Sequence, residues 1–107
     1  MKRLEVAFRP DAEADVDRLE TWLALQGAGL IIIDRYIDRL LARCAAIGDA
    51  PGAGRAREDL QAGLRTVVFE NRILIAYRVH DDHVEVVNIF SHGRDYEAFY
   101  GDDGEGG

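Results

Sequence analysis

Apolar and polar residues alternate over residues 3–9, with Leu4, Val6 and Phe8 on one side and Arg3, Glu5, Ala7 and Arg9 on the other. A period of two predicts a half-buried β-strand with one wet face. Pro10 ends the alternation and suits the first turn of a helix, where Asp11 and Glu13 sit at the positive end of the dipole. The apolar spacing then changes to four, three and four at Ala12, Val16, Leu19 and Leu23, which predicts an amphipathic helix. Asp15, Asp17, Arg18 and Glu20 fall elsewhere on its wheel, and Trp22 lies beside the stripe. Two glycines within residues 26–29 make a tight connection. A second helix follows over about residues 30–47, with Ile33, Ile37, Leu40, Cys44 and Ile47 sharing a face. Helices joined by so short a link pack as an antiparallel hairpin.

Residues 48–63 contain one proline and four glycines around a charged centre of Arg55, Arg57, Glu58 and Asp59, and read as an irregular connection. Sixteen structureless residues in a compact domain mark either a functional loop or an element hidden from periodicity. Three strands follow, over residues 64–69, 72–79 and 84–90. The first two flank Glu70-Asn71, a two-residue loop whose asparagine tolerates positive φ. His80 to His83 form a polar turn, and residues 96–100 form a last helical turn. The order β-α-α-β-β-β, with a helical hairpin packed on an antiparallel sheet, is an α+β fold.

The composition narrows this to a single domain over residues 1–100. A chain of 107 residues with 48% hydrophobic content supports one core. Residues 101–107, four glycines and three acids, form a tail with nothing to bury and are expected to be disordered. One cysteine, Cys44, excludes an internal disulfide and fits a reducing compartment, so the expected location is the cytoplasm. No apolar run approaches the ~20 residues of a membrane span. Thirteen basic against 20 acidic residues leave a net charge of −7, the opposite of what broad phosphate binding requires.

His80, His83 and His92 are scattered, with no recognised metal spacing, so neither a metal nor a cofactor is expected. Ser91, His92 and Asp95 are too close in the chain to converge as a triad. Arg55, Arg57, Arg65, Arg72, Arg78 and Arg94 admit two readings. They hold an anion if they share a face, or they pair with Glu58, Asp59, Glu70, Glu85 and Asp95. Nine acids against six bases over residues 49–100 favour pairing. The run Leu30, Ile31, Ile32 and Ile33 cannot all face a core from one helix, so one of them is expected at the surface.

Three segments carry a family resemblance. Residues 51–65, PGAGRAREDLQAGLR, resemble the P-x-x-G-R-x-R-x-D-L-x-x-G-L-R block of ParE toxins in the RelE/ParE superfamily. Tyr77-Arg78-Val79 resembles the Y-R-V strand of that family, and residues 89–97 resemble its closing I-x-x-H-G-x-R-D segment in shortened form. The resemblance implies the toxin of a bacterial type II toxin–antitoxin pair, silenced in a hetero-oligomer by its cognate antitoxin. ParE toxins imply a non-enzymatic block of DNA gyrase by protein contact. The RelE branch implies instead metal-independent cleavage of mRNA at the ribosome, for which the carried-over residues are Arg57, Arg65, His92 and Arg94. Lys2 is the only lysine, and the lysines of the RelE set are missing. Together with the negative charge, this favours the gyrase-directed branch, with no direct nucleic-acid or membrane binding. Arg57, Arg65, Arg78 and Arg94 are the expected target contacts. Trp22, Leu30, Ile31, Ile32, Ile33 and Tyr36 are the expected antitoxin contacts, through helix-in-groove or strand-addition packing.

Overall fold

The computed structural model describes residues 3–91 together with Glu97, Phe99 and Tyr100. His92, Arg94 and Asp95, most of the expected last turn and the acidic tail lie outside the described residues; Glu97, Phe99 and Tyr100 are helical. The elements are β1 (Glu5–Phe8), α1 (Pro10–Leu25), α2 (Leu30–Ile47), β2 (Arg55–Ala56), β3 (Arg65–Phe69), β4 (Ile73–Val79) and β5 (His83–Phe90). One sheet joins the strands in the order β1-β5-β4-β3-β2.

The alternation of β1 and the helical spacing of α2 appear as expected, with Ile33, Ile37, Leu40, Cys44 and Ile47 buried on one face. Helix α1 closes through Gly27 at φ +93. Gly27 N–H donates to Ala24 O at 3.0 Å and Ala28 N–H to Leu23 O at 3.1 Å, the paired bonds of a Schellman cap. Only a residue without a Cβ takes that φ without strain. Gly48 meets a different demand: Leu4 N–H donates to its carbonyl at 3.0 Å, and a Cβ there would lie 2.1 Å from Leu4 O. The β3–β4 turn has φ 49 at Glu70 and φ 60 at Asn71, the left-handed pair of a type I′ hairpin.

Three features depart from the expectations. First, β1 pairs in parallel with β5, Val6 opposite Val84 and Phe8 opposite Val86, so the sheet is antiparallel only across its other pairs. Second, residues 48–63 are not structureless. They hold a 3₁₀ turn, Pro51–Ala53, and the two-residue strand β2, antiparallel to β3. Two residues are too few to show a period. Third, Asp15 is buried although the helical pattern sets it apart from the core stripe. Strand β1 ends at Phe8 and leaves the far end of β5 without a strand partner on that side. The Asp15 carboxylate takes its place, accepting from Ile89 N–H at 2.8 Å and Asn88 Nδ2 at 3.3 Å, and it pairs with Arg18. A buried N–H is thereby satisfied by a side chain from α1.

The sheet is covered on both faces. The larger core packs α1 and α2 against Phe69, Ile73, Ile75, Tyr77, Val84, Val86 and Ile89. A smaller cluster on Leu64, Ala76, Val87 and Phe90 receives Leu60, Phe99 and Tyr100. Val87 is the extra residue of a bulge in β5, where the register passes from Ala76–Asn88 to Tyr77–Val86. Cys44 is a packing residue: burial pushes its thiol up to about 12, which leaves it an inert thiol at neutral pH.

Candidate functional site

Arg57, Arg65 and Arg78 donate to groups of the protein itself, while Arg55 and Arg72 are exposed and make no side-chain hydrogen bond or ion pair with another described residue. Arg65 on β3 lies opposite Tyr77 on β4. Its Nη1 donates to Gly52 O at 3.1 Å and Gly54 O at 2.7 Å. The Tyr77 hydroxyl donates to Pro51 O at 2.8 Å and accepts from Gly54 N–H at 3.0 Å. Residues 51–54 are thus stitched to β3 and β4 by two side chains. A Cβ on Gly54 would lie 2.2 Å from that hydroxyl, so the glycine of the P-x-x-G-R pattern is required by the approach of Tyr77. Burial raises the Tyr77 phenol above its ordinary value and keeps it a neutral donor.

Arg57 is buried and clamps the loop after β2. It donates from Nε and Nη2 to the Asp59 carboxylate at 3.0 and 2.9 Å, and from Nη2 to Glu97 Oε2 at 2.8 Å. The hydrogen bond from Arg57 holds the Asp59 carboxyl below the usual range. Arg78 Nε donates to Ala62 O at 3.3 Å. The pairing reading of the loop is therefore realised at Arg57, while Arg65 and Arg78 bond to backbone carbonyls, partners that charge counting does not anticipate. His92 and Arg94, expected beside them, lie outside the described residues. His80 and His83 stack in their turn and bond to Glu85 and Asp82.

The helical hairpin spends its side chains differently. Three of the four residues in the apolar run are open where one was expected: Leu30 at 80%, Ile31 at 68% and Ile32 at 65%. Ile33 alone joins the core. Leu25, exposed at 78%, and Trp22, at 43%, belong to the same end of the hairpin. Leu25 was missed, although its place on the wheel opposite the Ala12–Leu19 stripe is legible. Tyr36 is turned toward the β3–β4 turn instead, edge-on to Phe69 at 5.5 Å with the Arg39 guanidinium 5.3 Å from its ring centre. Arg39 in turn holds Glu70 by two hydrogen bonds of 2.8 and 3.1 Å and keeps its carboxyl below the usual range.

Along the outer seam of the two helices run two hollows. One of about 380 Å³ is lined by Phe8, Glu13, Val16, Asp17 and Leu41. The other, about 430 Å³, has Glu20, Ala24, Leu30 and Asp34 among its lining residues and shares Asp17 with the first. Residues 13, 17, 20 and 24 form one stripe of α1, and 30, 34 and 41 one stripe of α2, so the hollows make a single trough about 16 Å long. Glu13, Asp17, Glu20 and Asp34 wall it, no cation lines it among the described residues, and none of the four is ion-paired with another described residue. An arrangement of apolar floor and acidic walls accepts an amphipathic helix with basic flanks. No single residue announces the trough, because it exists only once two helices lie side by side.

Residues 6–96 match the family model described as ParE toxin of type II toxin-antitoxin system, parDE. No curated protein sequence matches the chain. Among solved structures, one described as the chromosomal ParDE TA system from P. aeruginosa superposes with a TM-score of 0.72 at 15% identity, covering 84% of this chain and 97% of its own. A conserved hypothetical protein from Helicobacter pylori has a TM-score of 0.47 at 17% identity, covering 85% of this chain and 97% of its own. The first likeness is one of fold.

Proposed function

Because the chain belongs to the ParE toxin family of type II toxin–antitoxin systems, we propose that it is the toxin of such a pair, acting in the cytoplasm by protein contact with DNA gyrase until a cognate antitoxin silences it. The observation that carries the non-nucleolytic part of this reading is the state of Arg57 and Arg65, the described arginines of the ribonuclease set that the resemblance implies. A metal-free ribonuclease needs guanidinium donors aimed at an incoming phosphate. Arg65 instead donates to Gly52 and Gly54, and Arg57 is buried against Asp59 and Glu97. The charge of −7 supports the same reading, since it opposes approach to ribosomal RNA. In this proposal Arg57 and Arg65 act on the target through the loop they hold, and Arg78 and Arg94 contact it directly.

The antitoxin is proposed to lay a helix into the trough, where Leu30 and Leu41 offer apolar contacts and Glu13, Asp17, Glu20 and Asp34 select basic flanks. Of the six expected antitoxin contacts, Leu30 and Ile33 line this seat, Trp22 lines a neighbouring hollow that shares Asp17 and Thr21 with it, Ile31 and Ile32 are exposed on the same turn of α2, and Tyr36 lies toward the sheet.

Supercoiling by purified gyrase, titrated with this protein with and without antitoxin while ribosome-bound mRNA is followed in parallel, tests the reading. Loss of supercoiling restored by antitoxin, with mRNA intact, is the expected result. Cleaved mRNA with supercoiling untouched overturns it in favour of a RelE-like ribonuclease.

A further inference from the structure

We infer that the end of the helical hairpin is a self-association surface on which a second copy of this chain docks by a two-fold contact. From Thr21 to Ile33 the sequence carries no charged residue, thirteen positions in a row in a chain that is 31% charged. In the fold this stretch is the last turn of α1, the connection through Gly27 and Gly29, and the first turn of α2. Trp22, Leu25, Leu30, Ile31 and Ile32 are all open there. Nothing lies within 4 Å of where a Cβ would project from Gly27 or Gly29, so another backbone can approach the turn closely.

Charge selects the occupant. Two copies of a chain with net charge −7 repel over most of their surfaces, and the acid-walled trough is the worst place for them to meet. The hairpin end is the longest stretch of the chain without a charge, with Asp17, Arg18, Glu20 and Asp34 only at its rim, and two copies approach there with the least of that cost. A strongly charged partner gains little from its five apolar side chains, whereas an identical apolar end is complementary to it by symmetry. The area agrees. Taking roughly 150–250 Å² for a fully exposed large apolar residue, the five side chains leave on the order of 600 Å² open. Two such surfaces face to face remove about 1,200 Å², the lower edge of the range for specific interfaces, which predicts a dimer that dissociates at micromolar concentration. This inference does not depend on the proposed target, and because Leu30 also lines the proposed antitoxin seat the dimer is tested without antitoxin.

The test is sedimentation velocity of the full chain without antitoxin, between about 1 and 200 µM, the range in which an interface of this size dissociates. Conversion from monomer to dimer is expected across that range. Trp22 is the only tryptophan, so its emission should move to shorter wavelength over the same concentrations as it leaves water. The double variant Leu25→Lys with Ile31→Lys should weaken the dimer by about tenfold or more while keeping its circular dichroism, since both positions are exposed. Should that variant misfold, the single variants Leu25→Lys and Ile31→Lys supply the second measurement, each expected to move the monomer–dimer conversion to higher concentration, since both positions are exposed. A monomer throughout with constant Trp22 emission overturns the proposal. So does a dimer indifferent to the two lysines, and so does a monomer whose lysine variant loses antitoxin binding instead.

Discussion

Residues 51–65 and the end of the helical hairpin spend their side chains in opposite ways. In the first, charged and polar groups turn inward: Arg57 is buried between Asp59 and Glu97, Arg65 reaches two carbonyls, and the Tyr77 hydroxyl both donates to and accepts from the same loop. In the second, Leu25, Leu30, Ile31 and Ile32 turn outward and touch little. The difference teaches which observation marks a surface for recognition. Residue type misleads in both regions, because arginines suggest a site and aliphatics suggest a core. What separates them is whether a group already has its partners. A guanidinium already tied to carbonyls and carboxylates of its own loop is less free to meet a ligand, while exposed aliphatic groups lose free energy to water until something covers them.

Substitutions at these two regions should therefore behave oppositely, and the largest effect is expected where the loop meets the sheet. Gly54→Val drives a side chain into the Tyr77 hydroxyl, which is fixed by two hydrogen bonds in a buried position. It is expected to cost about 3 kcal/mol in urea unfolding through overpacking and two lost bonds. An unchanged denaturation midpoint would mean the loop is not held by Tyr77.

Arg65→Met removes two hydrogen bonds to loop carbonyls and is expected to cost about 1–2 kcal/mol, roughly the net value of charge-assisted bonds at a partly exposed site. The comparison is sharpened by measuring growth inhibition alongside. If Arg65 only holds the loop, toxicity and stability fall together and both recover on cooling. Lost toxicity at full stability would instead assign Arg65 to the target or to a phosphate.

The smallest effect on stability is expected at the hairpin end. Ile32→Lys exchanges an exposed aliphatic side chain for a solvated one, so unfolding should shift by less than about 0.5 kcal/mol. A loss of several times that amount would show that Ile32 packs in the native state and would remove it from any docking surface.

Much of the fold was legible. The period of two in β1, the 3.6-residue spacing in α2, Pro10 as a helix start, and Asn71 in a two-residue turn each express a local steric or hydrogen-bonding preference that the residue carries with it. The family pattern was legible for the same reason, although Arg65 read there as a candidate for target or phosphate contact and serves in the structure, with Tyr77 and Gly54, as a clamp. Strand β2, the parallel edge of β1 and the burial of Asp15 were not legible. Each is fixed by a partner distant in the chain: Thr66 for Arg55, Val84 for Val6, Ile89 N–H for the Asp15 carboxylate.

The amino-acid sequence by itself determined the element types, the hairpin of helices, the one inward face of α2 and the negative charge that opposes nucleic acid. These depend on residue spacing and on ionisation, which are properties of the chain before it folds. Tertiary structure alone decided which arginines were held by the loop, which aliphatics were bare and where a trough ran between two helices. Those outcomes depend on what a side chain meets across the fold, through hydrogen bonds and burial that no local pattern encodes.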